Sequence, residues 1–418
     1  MRVLNRKSNV KAMVQIPGSK SLTHRALITA ALSLGDSQII NPSHCQDTLT
    51  TKKALEALGC EIVGSENSIL VRGGSIFQSQ TIEPCIDLQE SGTSFRLILA
   101  VCGLRPTWSH LYGGSRLSKR PIKPLIEALS SLGAHIRWHG PAGHLPLSIK
   151  GGNLKGGIVE LEAYESSQYV SALMLVGPLL PKGLVIRLKG GIRSRPYIKM
   201  TAHVMEHFGA SCFLGEKEIT IPPKDPYTPG AYWVEPDATN ASYFLGLPML
   251  VGGRIGVAGL KPHSHQGDIR FLEILKEMGG SYTHTSEGIW TEGNELKGLE
   301  LDMGDVPDLV PTVAALAAFA EGTTVIKNVP HLKIKESDRI QSICLEWKSL
   351  GLNVRPLEDG LVLKGSETYR PNRVFSHNDH RIAMALALLG SKQGDIVLEG
   401  EGAVKKSFPN FWELWDQT

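Results

Sequence analysis

Nearly all-apolar stretches recur along the chain, and each is preceded by polar or helix-capping residues. They are spaced 71, 75, 73, 68 and 71 residues apart and begin at Ser21, Gly92, Ser167, Asn240, Asp308 and Asp379. A capped polar start followed by a continuous apolar run is typical of a helix that is buried along its length. The pattern therefore predicts six buried helices whose N-termini face water.

A second, amphipathic pattern alternates with the first, and each of its segments ends near a glycine. These glycines are Gly59, Gly133, Gly209, Gly279 and Gly351. A glycine suits the end of a helix because it enters the left-handed conformation without steric cost. Strand-like stretches follow, such as SILVRGG and LPLSIKGG. The repeated unit is therefore predicted to contain two helices and several strands.

A purely structural solenoid would also produce such a periodicity. Two observations argue against it: the repeat is longer than common solenoid periods, and the polar N-termini differ in chemical character from one repeat to the next. One architecture that carries a single composite site explains both observations.

A proline-rich segment divides the chain. Residues 221–237 contain five prolines, which resist helix and sheet interiors, and three repeats lie on each side. A chain of 418 residues is also long enough for two domains. If the N-terminal strand pairs with the second half, residues 17–236 form an inserted domain and residues 1–16 join 237–418. The chain would then cross near Pro17–Lys20 and near Tyr227–Asp237.

Composition excludes several classes of protein. The formal net charge is only +3, and the basic residues are dispersed, which does not favour nucleic-acid binding. No apolar run is long enough for a membrane span, and the polar N-terminus does not resemble a secretory signal. The six cysteines are scattered and no zinc motif is present. We expect a soluble, cytoplasmic protein with reduced thiols.

The first three apolar helices begin with groups that suit anions. Helix N-termini bind anions through free amides and the helix dipole, and neighbouring cationic or hydroxyl side chains strengthen such a site. Each group taken alone is more typical of a surface. The candidates are Lys20, Ser21, Arg25, Gly92, Thr93, Arg116, Lys119, Arg120, Ser166, Ser167, Gln168, Arg193, Ser194, Arg195 and Tyr197.

The second half supplies the ionisable pairings. In isolation, the KIKESDR segment is more typical of a solvated helical face with an i, i+4 charge pair. Combined with the helix starts, these groups fit a site for two phosphates and two carboxylates, in which Asp308 and Glu336 could transfer protons. The candidates here are Asp308, Lys335, Glu336, Arg339, Asp379, His380, Arg381, Lys405 and Lys406.

Ten collinear motifs resemble the enolpyruvyl transferase family over essentially the whole chain. They are PGSKSLTHRAL, ESGTSFR, KRPIKPL, SSQYVSALML, SRPYIKMT, EPDATNASYFL, VPDLVPTVAALAAFAEGTT, LKIKESDR, NDHRIAMAL and KSFPNFW. The resemblance implies an α/β fold of two pseudo-symmetric domains, each built from three βαβαββ units. It also implies an active site in the interdomain cleft.

The branch of the family that it most resembles transfers the enolpyruvyl group of phosphoenolpyruvate to the 5-hydroxyl of shikimate 3-phosphate. That reaction proceeds by addition and elimination and uses neither a metal nor an organic cofactor. The implied partners are these two small molecules, with no nucleic acid or membrane. The absence of a long exposed apolar stripe favours a monomer.

The resemblance also implies residue roles. Asp308 would remove the proton of the attacking hydroxyl, and Glu336 would protonate the methylene carbon, with Lys20 assisting. The residues implied for shikimate 3-phosphate are Lys20, Ser21, Arg25, Ser166, Ser167, Gln168, Ser194, Tyr197, Asp308 and Lys335. Those implied for phosphoenolpyruvate are Lys20, Gly92, Arg120, Gln168, Glu336, Arg339, His380, Arg381 and Lys406.

Two positions depart from the family pattern. Glu90 stands where many members have Asn, and His331 stands where others have Asn or Glu. Either residue could alter substrate affinity, although Glu90 could instead turn away and pair with an arginine. Gly92 occupies a position linked in the family to the inhibitor glyphosate and predicts ordinary sensitivity to it.

Two other functions remain open. The sister branch transfers enolpyruvate to UDP-N-acetylglucosamine, but its mobile loop typically carries a reactive cysteine where this chain has Ser115. A non-catalytic relative would be expected to have lost one of Asp308, Glu336 or Lys20, and all three are present.

Overall fold

The computed structural model describes residues 1–78, 83–190, 194–223 and 227–418. Contacts divide the chain into two compact units: residues 18–234, called here the inserted unit, and residues 1–17 with 235–418, called the discontinuous unit. None of the helices in the described ranges combines the length and the apolar character needed to cross a membrane.

The chain forms helices of two kinds. The α-helices are α1 Lys20–Ala31, α2 Gln46–Ala57, α3 Ser75–Gln78, α4 Gly92–Cys102, α5 Lys123–Ser131, α6 Ser167–Val176, α7 Arg195–His207, α8 Ala238–Val251, α9 Phe271–Glu277, α10 Val310–Ala317, α11 Arg339–Ser349, α12 His380–Gly390 and α13 Phe411–Asp416. The 3-10 helices are Leu117–Lys119, Gly177–Leu179, Gly267–Arg270, Pro307–Leu309, Pro330–Ile334 and Glu401–Lys406.

The strands are short. They are β1 Arg2–Leu4, β2 Val10–Val14, β3 Asp36–Ile40, β4 Glu61–Gly64, β5 Ser68–Arg72, β6 Cys85–Asp87, β7 Ser109–Tyr112, β8 His135–Trp138, β9 Leu147–Lys150, β10 Gly157–Glu162, β11 Leu184–Lys189, β12 Phe213–Leu214, β13 Glu218–Ile221, β14 Ala231–Trp233, β15 Gly253–Ala258, β16 Ser281–His284, β17 Gly288–Glu292, β18 Glu300–Asp302, β19 Thr323–Lys327, β20 Asn353–Pro356, β21 Leu361–Lys364, β22 Arg373–Phe375 and β23 Ile396–Glu399.

The predicted helices are confirmed. The six apolar stretches form α1, α4, α6, α8, α10 and α12. The five amphipathic segments form α2, α5, α7, α9 and α11, and the glycine after each has a positive φ, from 77° at Gly351 to 114° at Gly133. A residue with a Cβ would be strained at these positions, so the glycines terminate the helices for the predicted reason.

One sheet topology recurs in both units. A parallel pair is extended by two antiparallel strands, as in the orders β10-β11-β13-β12 and β6-β7-β9-β8 of the inserted unit. The discontinuous unit repeats it as β18-β19-β21-β20 and β16-β17-β15-β2. With the intervening helices, this arrangement is the βαβαββ unit expected from the sequence, and the α/β fold is confirmed.

Strands β2 and β14 pair with strands that are far from them in sequence. The N-terminal strand β2 pairs in parallel with β15, in register Val10 with Gly253, so the start of the chain belongs to the discontinuous unit. In the proline-rich segment, β14 pairs in parallel with β3 at the edge of a four-stranded sheet. Edge positions tolerate prolines nearby because only one side of the strand must form ladder bonds.

Each unit has its own apolar core, which consists largely of the predicted buried helices. Leu173 and Val170 of α6 are fully buried in the inserted unit, and Ile382 and Leu386 of α12 are fully buried in the discontinuous unit. Several of the candidate residues, among them Lys20, Gly92 and Ser167, lie where these buried helices begin.

Candidate active site

Arg25 lies one turn inside α1 and joins three helices of the inserted unit. Its Nε donates to Thr201 Oγ1 at 2.7 Å, and its two terminal nitrogens donate to the Ser21 carbonyl at 2.8 Å, to Ser171 Oγ at 3.2 Å and to the Tyr197 carbonyl at 3.2 Å. All of these acceptors are neutral. Burial lowers the pKa of Arg25 to about 10, which is the cost of holding a guanidinium without a carboxylate.

Lys20, the first residue of α1, is held by a carboxylate that the sequence did not single out. Its Nζ lies 3.0 Å from Asp47 Oδ2 in the first turn of α2, and both side chains are largely buried. This buried ion pair fixes the lysine at the helix start, because separating two buried opposite charges is costly.

A chain of hydroxyl groups connects α1, α2 and α4 beneath these starts. His24 Nδ1 lies 2.7 Å from Thr51 Oγ1, which lies 2.8 Å from Ser94 Oγ. Ser94 Oγ also donates to the Asp47 carbonyl at 3.0 Å. Every link is buried, so the three helix starts are fixed relative to each other within the inserted unit.

Gly92 is in close contact with a predicted anion-binding residue. A Cβ at this position would lie 2.3 Å from Arg120 Nη1 and 2.7 Å from Arg96 Nη1. The start of α4 therefore admits the guanidinium of Arg120 only because residue 92 has no side chain. The structure brings the two predicted residues together.

Gln168 is oriented by α4. Its Nε2 donates to Thr93 Oγ1 at 2.9 Å, and its Oε1 accepts from Arg96 Nη1 at 3.0 Å. The adjacent Ser166 caps α6 by accepting from the Gln168 amide at 3.2 Å, and Ser167 is buried in the first turn. The candidates Ser166, Ser167 and Gln168 thus form a helix start, as expected.

The start of α7 has an unusual backbone. Ser194 occupies the N-cap position with φ 57°, in the left-handed region that serine rarely adopts. Tyr197 follows in the first turn, and its carbonyl accepts from both Arg25 and Thr201. Arg193 lies outside the described residues.

Arg339 forms the centre of the cluster in the discontinuous unit. Its side chain is 1% exposed and contacts three carboxylates: Asp379 at 2.8 Å, Asp308 at 2.9 Å and Glu336 at 2.9 Å. Burial alone would lower the pKa of Arg339, but these carboxylates raise it above its ordinary value. The interpretation of KIKESDR as a solvated face is therefore wrong, because the last residue of that segment is fully buried.

Asp308 bridges two arginines. It lies in the 3-10 turn Pro307–Leu309, which directly precedes α10. The sequence predicted that Asp308 lies at the start of this helix. Its Oδ1 accepts from Arg339 and its Oδ2 accepts from Arg381 Nη2 at 2.6 Å. The structure thus brings Asp308, Glu336, Arg339 and Arg381 into one cluster, in which Glu336 shares Arg339 with Asp308.

Asp379 is a buried part of this cluster. It caps α12 by accepting from the Arg381 amide at 2.9 Å and receives hydrogen bonds from Arg339 Nε and from Ser337 Oγ at 3.1 Å. Burial would raise the pKa of Asp379, but the Arg339 guanidinium holds it below its ordinary value. The sequence indicated Asp379 only as a helix start.

A further buried carboxyl, that of Asp268, interacts electrostatically with Asp308 and Arg381 of this cluster. Asp268 is 5% exposed and accepts a hydrogen bond from Thr239 near the start of α8. Burial, followed by the negative charge of Asp308, raises the pKa of Asp268 to about 7. Nothing in its sequence context, QGDIR, indicated this environment.

The remaining predicted residues lie on adjacent segments. Lys335 directly precedes Glu336, and Lys406 ends the 3-10 helix that packs against α12; both are half-buried. His380 is fully buried, with Nδ1 3.9 Å from Asp379 Oδ1. His331, one of the two departures from the family pattern, is buried in the turn Pro330–Ile334.

Two residues missed by the sequence interpretation hold predicted ones in place: Asp47, which pairs with Lys20, and Arg96, which donates to Gln168. Arg96 donates to the Gly92 and Pro121 carbonyls at 3.1 and 2.9 Å, and Pro121 directly follows Arg120. Arg96 is four residues after Gly92 and therefore on the same face of the helix, which could have identified it as a residue of the site. Asp47 had a weaker signal, as an acid in the first turn of a helix.

The recurring βαβαββ topology and these helix starts define the enolpyruvyl transferase fold. The enolpyruvyl transferase NikO from Streptomyces tendae shares this fold, with a TM-score of 0.77 at 17% identity over 99% of this chain and 96% of that chain. An EPSP synthase from Acinetobacter baumannii is more similar, with a TM-score of 0.84 at 27% identity over 99% and 97%.

The chain belongs to the EPSP synthase (3-phosphoshikimate 1-carboxyvinyltransferase) family, whose family model matches residues 4–415. A protein of Syntrophobacter fumaroxidans named 3-phosphoshikimate 1-carboxyvinyltransferase is 39% identical over 98% of this chain and 97% of its own length. A protein of the same name from Methanocaldococcus jannaschii is 34% identical over 99% and 96%. The resemblance inferred from the motifs is confirmed.

Proposed function

We propose that this protein transfers the 1-carboxyvinyl group of phosphoenolpyruvate to the 5-hydroxyl of shikimate 3-phosphate and releases phosphate. The product, 5-enolpyruvylshikimate 3-phosphate, leads to chorismate and the aromatic amino acids. Beyond family membership, the observation that carries the proposal is the pair of carboxylates on Arg339. Asp308 and Glu336 lie 2.9 Å from the same buried guanidinium, so two proton-transfer groups are held in one cluster.

The addition step needs one proton removed and one delivered. Asp308 takes the proton of the 5-hydroxyl as its oxygen attacks C2 of phosphoenolpyruvate, and Glu336 gives a proton to the C3 methylene. In the elimination step, Glu336 takes back a proton from the new methyl group as the bond between C2 and the phosphate oxygen breaks, and the proton held by Asp308 leaves with the departing phosphate. The reaction involves no net oxidation or reduction, and the only leaving group is phosphate.

Arg339 connects binding to this chemistry. In its present contacts the guanidinium attracts Glu336, which favours the ionised carboxylate and opposes its role as a proton donor. A phosphate dianion that binds Arg339 competes for the same donors and weakens the hold on Glu336. Glu336 then takes up a proton from water as phosphoenolpyruvate binds, and it can deliver this proton to C3.

The inserted unit supplies recognition of shikimate 3-phosphate. Arg25 is a buried cation whose described hydrogen bonds go to neutral acceptors, which suits the binding of a phosphate dianion. Further donors for the phosphate and hydroxyls come from Ser21, Ser166, Ser167, Gln168, Ser194 and Tyr197, and Lys335 and Asp308 are assigned to the same substrate.

Phosphoenolpyruvate carries a phosphate and a carboxylate, and planar guanidinium groups bind both in a bidentate manner. Arg120, Arg339 and Arg381 are assigned to these groups. The assignment is completed by Lys20, Gly92, Gln168, Glu336, His380 and Lys406. We further propose that the protein acts as a monomer in the cytoplasm.

Phosphate release from phosphoenolpyruvate tests the proposal directly. The purified protein is incubated with phosphoenolpyruvate and with either shikimate 3-phosphate or UDP-N-acetylglucosamine, and phosphate is measured over time. Release with shikimate 3-phosphate alone is expected. Release only with the UDP-sugar would replace the acceptor assignment, and no release with either would indicate a non-catalytic relative.

A further inference from the structure

Glu90 makes contacts that the function described so far does not use. It follows β6 and lies two residues before α4. Its Oε2 accepts from the Leu117 amide at 2.8 Å, and its Oε1 lies 3.4 Å from the Arg116 amide nitrogen. A carboxylate at these amides caps the start of the 3-10 helix Leu117–Lys119, where free N–H groups attract negative charge.

The glycine-rich loop is shaped around this carboxylate. A Cβ at Gly114 would lie 2.0 Å from Glu90 Oε1 and 2.6 Å from its Cδ, so the side chain passes directly over that glycine. The Gly114 amide also donates to the Gln89 carbonyl at 2.6 Å. The segments 89–90 and 114–117 are therefore joined by both backbone and side-chain bonds.

The capped helix leads directly to Arg120. The Arg120 amide donates to the Leu117 carbonyl at 3.0 Å, so the position of Leu117 fixes the next turn of the chain. The Arg120 guanidinium in turn lies over Gly92, at the start of α4. Glu90 is thus linked to Arg120 in two ways: through Leu117, and through Gly92, which lies two residues after Glu90 in the sequence.

We propose that Glu90 is a positioning residue whose carboxylate braces the loop 113–117 and thereby holds Arg120 over the start of α4. The sequence suggested that Glu90 could alter substrate affinity. In the role proposed here it does so through Arg120 and not through a direct contact with the substrate. The brace follows from contacts within the inserted unit. Only its consequence for phosphoenolpyruvate affinity rests on the proposed function, through the role of Arg120.

Two variants remove the brace from opposite sides. Glu90→Gln keeps the length of the side chain but replaces the charged acceptor with an amide. Gly114→Ala keeps the carboxylate but places a methyl group where its oxygen lies. Gly114 has no positive φ, so alanine fits the backbone, and the flexible end of Glu90 is the part that moves. Glu127→Gln, which removes an exposed carboxylate paired with Lys123, is the matched control.

Hydrogen exchange measures the brace without reference to activity. Glu90→Gln and Gly114→Ala are each expected to accelerate exchange of the Arg116 and Leu117 amides by roughly five- to tenfold, as for the loss of one net hydrogen bond. The double variant should exchange no faster than either single variant, because both remove the same contact. Unchanged exchange in both single variants would overturn the proposal.

Kinetics test the consequence for Arg120. In both variants the KM for phosphoenolpyruvate is expected to rise about three- to tenfold, while kcat and the KM for shikimate 3-phosphate change less than about twofold. A loss confined to kcat, or to shikimate 3-phosphate, would show that Glu90 does not act through Arg120. If the unaltered protein releases no phosphate, the proposed function fails, and the exchange rates still decide whether Glu90 braces the loop.

Discussion

At the scale of single residues, two buried arginines, Arg25 and Arg339, differ in how their positive charge is compensated. Arg25 donates only to neutral oxygens among the hydrogen bonds described for it, so its positive charge is available to a bound anion. Arg339 contacts three carboxylates, which raise its pKa. It holds these acids together, and its positive charge is compensated by them. The first arrangement suits recognition of a phosphate, and the second suits control of proton-transfer groups.

The two candidate proton-transfer groups are tested by isosteric variants. Asp308→Asn and Glu336→Gln keep the shape of each side chain but cannot exchange a proton near neutral pH. Each is expected to lower kcat for phosphate release by about 10²- to 10⁴-fold. Steady-state assays at saturating substrates provide the measurement, with circular dichroism to verify folding. Glu292→Gln, which removes an exposed carboxylate paired with Arg254, should leave kcat unchanged. A folded variant with full activity would remove that residue from the mechanism.

The buried carboxyl of Asp268 predicts a pH-dependent stability. Its pKa of about 7 lies above the ordinary aspartate value of 3.8, because it is buried and faces Asp308 and Asp237, with Arg381 opposing them. The folded protein therefore binds this proton more tightly than the unfolded chain does. The resulting stabilisation is fully present below about pH 4 and is lost as the pH rises through about 7.

Asp268→Asn removes this titration and retains an oxygen that accepts from Thr239. Relative to the unaltered protein, the variant should therefore be more stable at pH 8 than at pH 5, with its free energy of unfolding higher by up to about 3 kcal/mol. Urea unfolding at the two pH values measures the difference. An equal difference at both values would mean that Asp268 does not titrate in this range.

At the scale of elements, the helix starts could be predicted from the sequence because their signals are local. Capping residues, apolar runs and terminal glycines lie within about a dozen residues of one another, and each of the predicted helices is present. The burial of Arg339 could not be predicted in this way. Its partner Asp379 lies 40 positions away in sequence, and only the packing of α11 against α12 brings them together.

The residues that hold α8 in place depend equally on distant contacts. Gln266 is 3% exposed and lies next to the segment where the chain enters the discontinuous unit. Its Oε1 accepts from the Ala238 amide at 3.0 Å, and its Nε2 donates to the Pro236 carbonyl at 2.8 Å and to Glu235 Oε2 at 3.3 Å. Gln266 thus satisfies the first amide of α8, while the N-cap Asp237 accepts from the Asn240 amide at 2.8 Å.

Gln266→Leu keeps the approximate volume but leaves these backbone groups without their partner. We expect the free energy of unfolding to fall by about 2 to 4 kcal/mol, because buried polar groups that lose a hydrogen bond retain their desolvation cost. Denaturant unfolding measures the loss. Gln341→Leu, at a site on α11 that is exposed, is the control and should change stability by less than about 0.5 kcal/mol. A similar small effect for Gln266 would mean that other groups satisfy α8.

At the scale of the whole molecule, the first residues of the chain pack against residues that are far from them in sequence. Strand β2 directly precedes the inserted unit in sequence, but it pairs with β15 of the discontinuous unit. The prolines in 221–237 indicated a division of the chain, whereas the partner of β2 could not be read from its own residues. Its stability should therefore follow the core that it joins.

Matched cavities in the two cores test this consequence. Leu173→Ala and Leu386→Ala each remove a fully buried side chain from the middle of an apolar helix, and each should cost about 2 to 5 kcal/mol. Native-state hydrogen exchange then reports which amides open more readily. Leu386→Ala should accelerate exchange in 235–418 and in β2, and Leu173→Ala should accelerate exchange in 18–234. Leu345→Ala, at a side chain that is 58% exposed, should change neither set. If the β2 amides responded to Leu173→Ala instead, the stability of the strand would follow its covalent neighbours rather than its sheet, contrary to the pairing of Val10 with Gly253.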